Sequence, residues 1–352
     1  MIFELLKLCI EKNASDLHFK TGYPPILRID GNMQQLINMP VITRKDFDIM
    51  LDEILDDSQK TTFLKKQRLD FGYSFSEARF RVNLFKDLRG GNAGFRLIPF
   101  KQLTFDYIDL PLSAQKFADK RKGLVLVTGN SGSGKSTTLS TFITYINSNL
   151  KKHIITVENP IEYIFDDYKS LISQRQVGVD CNSFEEGIAD AIQSNSDVIF
   201  VSELINAKEV EMCLQAAESG KLIFAIIQGN SSRQALDRFI KLCPKYSQSR
   251  VASRLAKNLL GTISQTLIAK KSETGRIAAY EIFLNSSYGK KIIAEKKFQL
   301  IPSLIDSSSS EGMVSLDNYI IKLVHSSKIT KEEAIIKANN RTLVRQKLEA
   351  LK

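Results

Sequence analysis

GLVLVTGNSGSGKS, residues 123–136, is the stretch that decides the fold of this chain. An apolar run typical of a buried strand leads into a glycine-rich loop. The residues that follow place Leu139, Phe142, Ile143 and Ile146 on one face of a helix. The loop between strand and helix fits the pattern G-x-x-x-x-G-K-[ST]. This context disfavours a glycine turn without function and predicts binding of a nucleoside triphosphate.

Each residue type in this loop has a chemical reason. Glycines let backbone N–H groups converge on phosphate oxygens without a Cβ in the way. The following helix adds its positive end, Lys135 is expected to reach the β- and γ-phosphates, and the Ser136 hydroxyl to hold Mg²⁺. The predicted ATP-binding residues are Gly129, Asn130, Ser131, Gly132, Ser133, Gly134, Lys135, Ser136 and Thr137.

Further apolar runs alternate with amphipathic stretches after residue 150. Ile154–Val157, Val198–Val201 and Leu222–Ile227 read as strands, and Asn206 with Glu209 forms the capping box of a helix. This alternation predicts a parallel sheet covered on both faces.

We expect an N-terminal domain at residues 1–100 and a linker at 101–111. A nucleotide-binding core at 112–285 and a helical region at 286–352 should follow.

The N-terminal hundred residues mix a helix with several short strands. Ile2–Glu11 has helical periodicity, and Ile26–Ile29 reads as a strand entering a tight turn at Asp30-Gly31. Phe80–Phe85 and Gly94–Ile98 alternate like paired strands. The pattern predicts a small α+β domain.

Three carboxylates lie where partners of a phosphate loop are expected. Glu158 and Glu162 flank a proline-fixed turn after one strand, and Glu203 follows another. One of them could orient or deprotonate the attacking water during nucleotide hydrolysis. The alternatives are that Glu158 and Glu162 are solvated surface acids and that Glu203 only caps the next helix.

Composition is that of an ordinary globular protein, with 43% hydrophobic and 25% charged residues among 352. No apolar run approaches the roughly 18 residues of a membrane span. The N-terminus does not fit a signal peptide. The four cysteines are far apart and form no CxxC pair, which disfavours a zinc site and favours buried thiols in a reducing compartment.

The net charge of +10 is concentrated in residues 241–352, which hold 20 Lys and Arg against 9 Asp and Glu. Solvated lysine-rich helix faces would explain this distribution. So would a basic surface facing nucleic acid, an anionic membrane or an acidic protein. Basic residues do not interleave with aromatic ones as base stacking would require, so we expect no nucleic-acid partner.

Several motifs together resemble one family. KNASDLHF at 12–19, ARFRVNLF at 78–85, HIITVENPIEYI at 153–164, LQAAESGKLIF at 214–224 and GMVSLDNYI at 312–320 accompany the phosphate loop in order. The chain is similar to the type IV pilus retraction ATPases, the PilT/PilU group of the secretion ATPases. ENPIEYI, QALDR and EIFLN lean towards the PilU branch.

The resemblance implies an α/β chain with a small α+β PAS-like N-terminal domain. A RecA-like P-loop ATPase domain and a helical C-terminal segment complete it. It implies a hexameric ring of identical subunits or a mixed assembly with a PilT-type ATPase. The ring would be cytoplasmic and peripheral at the inner face of the inner membrane, against the pilus platform protein. ATP with Mg²⁺ would power pilus retraction and twitching motility.

The resemblance also assigns site residues. Glu203 matches the Walker B glutamate that holds Mg²⁺ through water, and Glu158 and Glu162 match the Asp box, with Glu162 the candidate for activating water. Arg79 and Arg81 match arginines that reach the γ-phosphate of a neighbouring subunit. Without the family context these two would read as strand-surface arginines.

The chain departs from the family pattern at several matched positions. These are Asn159 in the Asp box, Ser202 and Ile205-Asn206 around Glu203, and Lys221 and Gln228 in the His box. Gln228 still donates a hydrogen bond but never becomes cationic. A working but slower or partner-dependent ATPase is the first hypothesis. A pseudo-ATPase that binds nucleotide and acts as a structural or regulatory ring component is the second, and an unrelated nucleic-acid motor is the third.

Overall fold

The computed structural model describes residues 1–29, 31–76, 78–98, 103–272 and 275–350. The chain divides into two units. The first comprises Met1–Gln102 together with Pro160–Ile164, and the second comprises Leu103–Asn159 and Phe165–Lys352. The predicted linker at residues 101–111 begins outside the described residues, which resume at Leu103.

The first unit is built on an antiparallel sheet of six strands in the order β3-β2-β1-β6-β5-β4. Its elements are α1 Ile2–Glu11, β1 Asp16–Lys20, β2 Ile26–Ile29, β3 Asn32–Gln35, α2 Arg44–Ile54, α3 Asp57–Lys66, β4 Arg68–Phe75, β5 Ala78–Asp87 and β6 Gly90–Ile98. The predicted helix at Ile2–Glu11 and the strand at Ile26–Ile29 are confirmed. Asp30, in the predicted turn, lies outside the described residues.

Alternation along the strands gives this sheet one apolar and one polar face. Leu17, Phe80 and Phe95 are fully buried under α1 and α2. On the other face Asp16 is paired with Arg96 at 3.0 Å and Arg28 at 3.5 Å. β5 pairs with β6 over nine residue pairs, so the two predicted strands are confirmed and are longer than the sequence indicated.

The second unit contains a sheet of seven strands in the order β13-β12-β7-β11-β10-β8-β9. All neighbouring pairs are parallel except β12 and β13. The strands are β7 Gly123–Thr128, β8 His153–Glu158, β9 Leu171–Gln176, β10 Val198–Val201, β11 Leu222–Ile227, β12 Leu259–Ala269 and β13 Arg276–Leu284. The predicted parallel strands are therefore confirmed, and β9, β12 and β13 are additions that the sequence did not indicate.

The helices of this unit cover the sheet on both faces, as predicted. They are α4 Leu112–Gln115, α5 Lys135–Asn149, α6 Phe184–Gln193, α7 Ala207–Glu218, α8 Ser232–Lys241, α9 Gln248–Asn258, α10 Ser287–Ala294, α11 Ile301–Ser307, α12 Leu316–His325, α13 Lys331–Lys337 and α14 Arg341–Glu349. Successive residues of β7 serve opposite faces: Leu124 packs with α6–α9, and Val125 packs with α5 and α12. Among the described residues, no helix is long and apolar enough to cross a membrane.

A buried carboxyl group links the β12–β13 hairpin, at the edge of the sheet, to α8. Glu281 on β13 is 7% exposed and accepts a hydrogen bond from the Ser232 backbone N–H at 2.7 Å. Burial raises the pKa of this carboxyl above its usual range, and the bond from Ser232 opposes the rise. Because the folded pKa exceeds the unfolded one, Glu281 stabilises the fold most at low pH. This contribution is lost as pH rises through the raised pKa.

We therefore expect Glu281→Gln to gain thermal stability relative to the wild type as pH rises from 5 to 8. The amide keeps an oxygen for Ser232 and carries no charge that burial penalises. Melting temperatures of both proteins across this range provide the measurement. The exposed Glu311→Gln is the control and should follow the wild-type profile. Parallel profiles for Glu281→Gln and the wild type would contradict the prediction.

Candidate nucleotide site

The carboxyl ends of the parallel strands bring the predicted site residues of the second unit to one edge of the sheet. β7 ends at the glycine-rich loop, β11 at Gln228, β10 at Glu203 and β8 at Glu158. β11 lies between β7 and β10, so about 10 Å separates the strand of the loop from the strand of Glu203. A cavity of about 630 Å³ beside this edge is lined in part by Asn130 and Gln228.

The loop conformation requires its glycines. Gly129 has φ +153° and Gly134 has φ +88°, in the left-handed half of backbone space. A Cβ at Gly129 would lie 2.4 Å from both the Gln265 carbonyl oxygen and the Ser133 Oγ. The loop is thus a close-packed turn leading into the amino terminus of α5, which is the architecture that binds phosphate through backbone N–H groups.

Lys135 is the first residue of α5 and lies over the loop. Its ammonium donates hydrogen bonds to the carbonyl oxygens of Gly129 at 2.9 Å and Asn130 at 2.7 Å. Ser136 and Thr137 follow in the first helical turn and are half-buried. The Ser136 hydroxyl and the Glu203 carboxylate are hard oxygen ligands of the kind that Mg²⁺ prefers, so the residues present fit this ion.

Glu203 is half-buried and its carboxylate has a defined partner. The Gln228 Nε2 donates a hydrogen bond to the Glu203 Oε1 at 2.9 Å. The predicted His-box position after β11 therefore contacts the predicted Walker B acid. Because an amide does not titrate near neutral pH, this contact keeps its donor where an imidazole would change protonation.

The backbone on both sides of Glu203 is hydrogen-bonded to neighbouring strands and to α7. The Ser202 N–H donates to Val157 O at 3.0 Å, and the Leu204 N–H donates to Ile226 O at 2.8 Å. The Glu209 carboxylate accepts from the N–H groups of Ile205 at 2.5 Å and Asn206 at 3.1 Å. The predicted capping box of Asn206 and Glu209 is confirmed, and it also holds the chain just after Glu203.

Two other departures from the family pattern have structural partners. The Ser202 hydroxyl accepts a hydrogen bond from the Asn159 N–H at 3.2 Å, which joins the ends of β10 and β8. Beside them, the Glu158 Oε1 accepts from the Thr156 hydroxyl at 2.6 Å and from the Gln174 amide at 3.2 Å. Glu158 is thus held in place by β8 and β9.

Glu162, Arg79 and Arg81 all belong to the first unit, because Pro160–Ile164 groups with it. The Arg81 guanidinium lies 3.7 Å from the Glu162 carboxylate. The Arg79 Nε donates to Ile161 O at 3.3 Å, and its Nη1 donates to the Ser74 hydroxyl at 2.9 Å. The two predicted trans arginines therefore lie beside the predicted water-activating acid. Arg81 contacts Glu162 itself, and Arg79 contacts its neighbour Ile161.

Lys221, the other predicted His-box position, lies apart from the carboxyl ends of the parallel strands. It precedes β11, whereas Gln228 follows it, so roughly 20 Å of strand separates the two residues. The Lys221 ammonium donates to Asn195 Oδ1 at 2.9 Å, at the end of the sheet where the parallel strands begin. Its positive charge is thus remote from the phosphate loop.

The comparisons with known proteins agree with this architecture. The sequence profile of the type II/IV secretion system protein family matches residues 1–346. The chain belongs to this family. It is 37% identical to the type IV pilus retraction ATPase PilT of Pseudomonas aeruginosa, over 96% of this chain and 98% of PilT. It is 30% identical to the type IV pilus ATPase PilU of the same species, over 97% of this chain and 89% of PilU.

A crystal structure of the pilus retraction motor PilT with bound ADP gives a TM-score of 0.89 at 33% identity. The match covers 98% of this chain and 99% of that one. The predicted fold class, an α+β N-terminal domain followed by a RecA-like ATPase domain, is confirmed by this match. The expected leaning towards PilU is not confirmed, since identity to PilT is higher.

Gln228→Ala is expected to lower ATP turnover about tenfold, because a hydrogen bond to a charged group stabilises its position by about 1.5 kcal/mol or more. The measurement is phosphate release at saturating ATP. Gln215→Ala, on the exposed face of α7, is the matched control and should keep full activity. Undiminished turnover in Gln228→Ala would show that the Glu203 contact does not matter for hydrolysis.

Proposed function

We propose that this chain is an ATP-hydrolysing motor subunit of the type IV pilus machine, which couples hydrolysis to pilus retraction and twitching motility. The observation that carries the proposal is the pairing of an intact phosphate loop with a positioned acid at the same sheet edge. Lys135 follows the loop glycines, and Glu203 is held by Gln228 and by the backbone bonds around it. Family membership and the identity to PilT support the same conclusion.

The residues of this chain divide the work of phosphoryl transfer. The loop N–H groups and Lys135 would bind the phosphates and offset the charge that develops on them. Ser136 and Glu203 would hold Mg²⁺, which supplies further charge stabilisation when bound. Glu158 and Glu162 remain the candidates for orienting the attacking water. Glu158 is fixed by Thr156 and Gln174, and Glu162 lies beside Arg81.

We extend the proposal to the assembly. A ring of six subunits, of this chain alone or mixed with a PilT-type ATPase, would let Arg79 and Arg81 reach the γ-phosphate of a neighbouring nucleotide. Such a ring would work at the cytoplasmic face of the inner membrane against the pilus platform protein. In this proposal each subunit has an N-terminal domain at residues 1–100, an ATPase core at 112–285 and a helical region at 286–352.

The test is phosphate release by the purified full chain, alone and mixed with a PilT-type ring. We expect turnover that saturates with ATP in at least one setting and that clearly exceeds the Glu203→Gln variant. Release no higher than that variant in both settings, with nucleotide binding intact, would favour the pseudo-ATPase role. Stimulation of hydrolysis by DNA would instead support a nucleic-acid motor.

A further inference from the structure

Gln265 on β12 contacts the phosphate loop from inside the second unit. Only 5% of its surface is exposed. Its Nε2 donates a hydrogen bond to Ser133 O at 2.7 Å, and its Oε1 accepts one from the Thr138 hydroxyl at 2.8 Å. Ser133 lies in the loop and Thr138 in α5, so a single buried amide links the loop to the helix that follows it.

Strand pairing places this side chain. β12 runs parallel to β7, and Ser264 is the register partner of Thr128, the last residue before the loop. The next residue, Gln265, therefore stands beside the loop as it leaves the sheet. The approach is close, because a Cβ at Gly134 would lie 3.2 Å from the Gln265 Nε2.

The bond to Ser133 fixes the orientation of one peptide group. In a trans peptide the C=O and the following N–H point in opposite directions. Because the Ser133 carbonyl is directed at β12, the N–H of Gly134 is directed away from β12. Gly134 has φ +88°, and glycine restricts rotation of its own peptide less than any other residue does.

We propose that Gln265 is a positioning residue for phosphate binding, which holds the Ser133–Gly134 peptide with its N–H turned towards the nucleotide phosphates. The inference rests on the proposed nucleotide site and adds to it a residue outside the loop. Gln265 acts through its hydrogen bonds to Ser133 and Thr138, and its effect on the nucleotide passes through the loop backbone. It should therefore govern affinity rather than the chemical step.

The test replaces Gln265 by Leu, which has similar bulk and removes both hydrogen bonds. We expect the dissociation constants for ATP and ADP to rise about tenfold, since both hydrogen bonds and the loop orientation that they enforce are lost. The kcat at saturating ATP should stay within about twofold, as expected for loss of uniform binding. Affinity is measured with a fluorescent nucleotide and kcat by phosphate release, both on the full chain.

Thr262→Val is the matched control on the same strand. Thr262 is fully buried and lies three residues from Gln265, hence on the opposite face of β12. Its hydroxyl has no hydrogen-bond partner among the described residues. This variant should bind nucleotide like the wild type, and a loss of affinity equal to that of Gln265→Leu would overturn the inference.

Other outcomes also decide the matter. Wild-type affinity in folded Gln265→Leu, or a lower kcat at unchanged affinity, overturns the positioning role alone. If that variant does not fold, Thr138→Val releases the amide to rotate and should weaken binding about threefold. Unchanged affinity in Thr138→Val then overturns the inference. A wild-type chain that binds no nucleotide overturns both this inference and the proposed function.

Discussion

Glu203→Gln is expected to lower ATP turnover by about 100-fold or more while nucleotide affinity stays within about threefold. Glu203 is expected to hold Mg²⁺ through water, and removing one group that stabilises the charge of the transition state lowers kcat by about 10²–10³. The substitution keeps the shape of the side chain and an oxygen that can accept from Gln228, so the site geometry should survive. The loop and Lys135 remain to bind the nucleotide phosphates.

The measurements are phosphate release at saturating ATP and nucleotide binding by fluorescence. Glu185→Gln is the control, because Glu185 is a carboxylate on α6 whose partner is the exposed Lys208. It should hydrolyse ATP like the wild type. If Glu203→Gln retained wild-type turnover, Glu203 would have no role in the chemical step, and Glu158 or Glu162 would become the principal acid.

Lys135→Ala is expected to weaken ATP binding by about 100-fold or more, since removing one partner of a charged contact in a site costs about 2–5 kcal/mol. Hydrolysis should fall below detection at ordinary ATP concentrations. Truncation also removes the two hydrogen bonds from the ammonium to the loop carbonyls. Some of the loss will therefore reflect a loop that is less well ordered.

Lys221→Ala is the informative control for this experiment. Both lysines carry the same charge, but Lys221 pairs with Asn195 at the other edge of the sheet. Binding and turnover should be unchanged in this variant. A comparable loss in Lys221→Ala would contradict the separation of the two residues and restore a His-box role at that position. Isothermal titration with ADP gives the affinity without interference from hydrolysis.

The parallel strands were predictable because each is an almost continuous apolar run. β7, β10 and β11 are buried on both faces, so their sequences carry no polar interruption. β9 escaped prediction because it is an edge strand, Leu171-Ile-Ser-Gln-Arg-Gln, with polar residues at most positions. β12 escaped it because Ser264 and Gln265 are buried yet polar, which breaks the apolar pattern.

The candidate site likewise combines residues that the sequence predicted with contacts that it did not. Local motifs predicted the phosphate loop and Glu203, since a few consecutive residues carry the whole signal. The contacts that hold them come from far along the chain, as the Gln265–Ser133 bond spans 132 residues. No periodicity reports such a pair. Lys221 illustrates the converse, because a matched motif grouped it with Gln228, and the length of β11 separates the two residues by roughly 20 Å.

The chain around Glu203 has a consequence for how hydrolysis can be controlled. The backbone around Glu203 is held by hydrogen bonds from Ser202 and Leu204 to adjacent strands and by the Glu209 carboxylate just beyond. Glu203 therefore moves by rotation about its side-chain torsions. The conformational entropy of ordering this segment is lost once, at folding, and is not lost again in each catalytic cycle. Regulation should therefore act on the rotamer of Glu203, through Gln228, or on the groups that approach it.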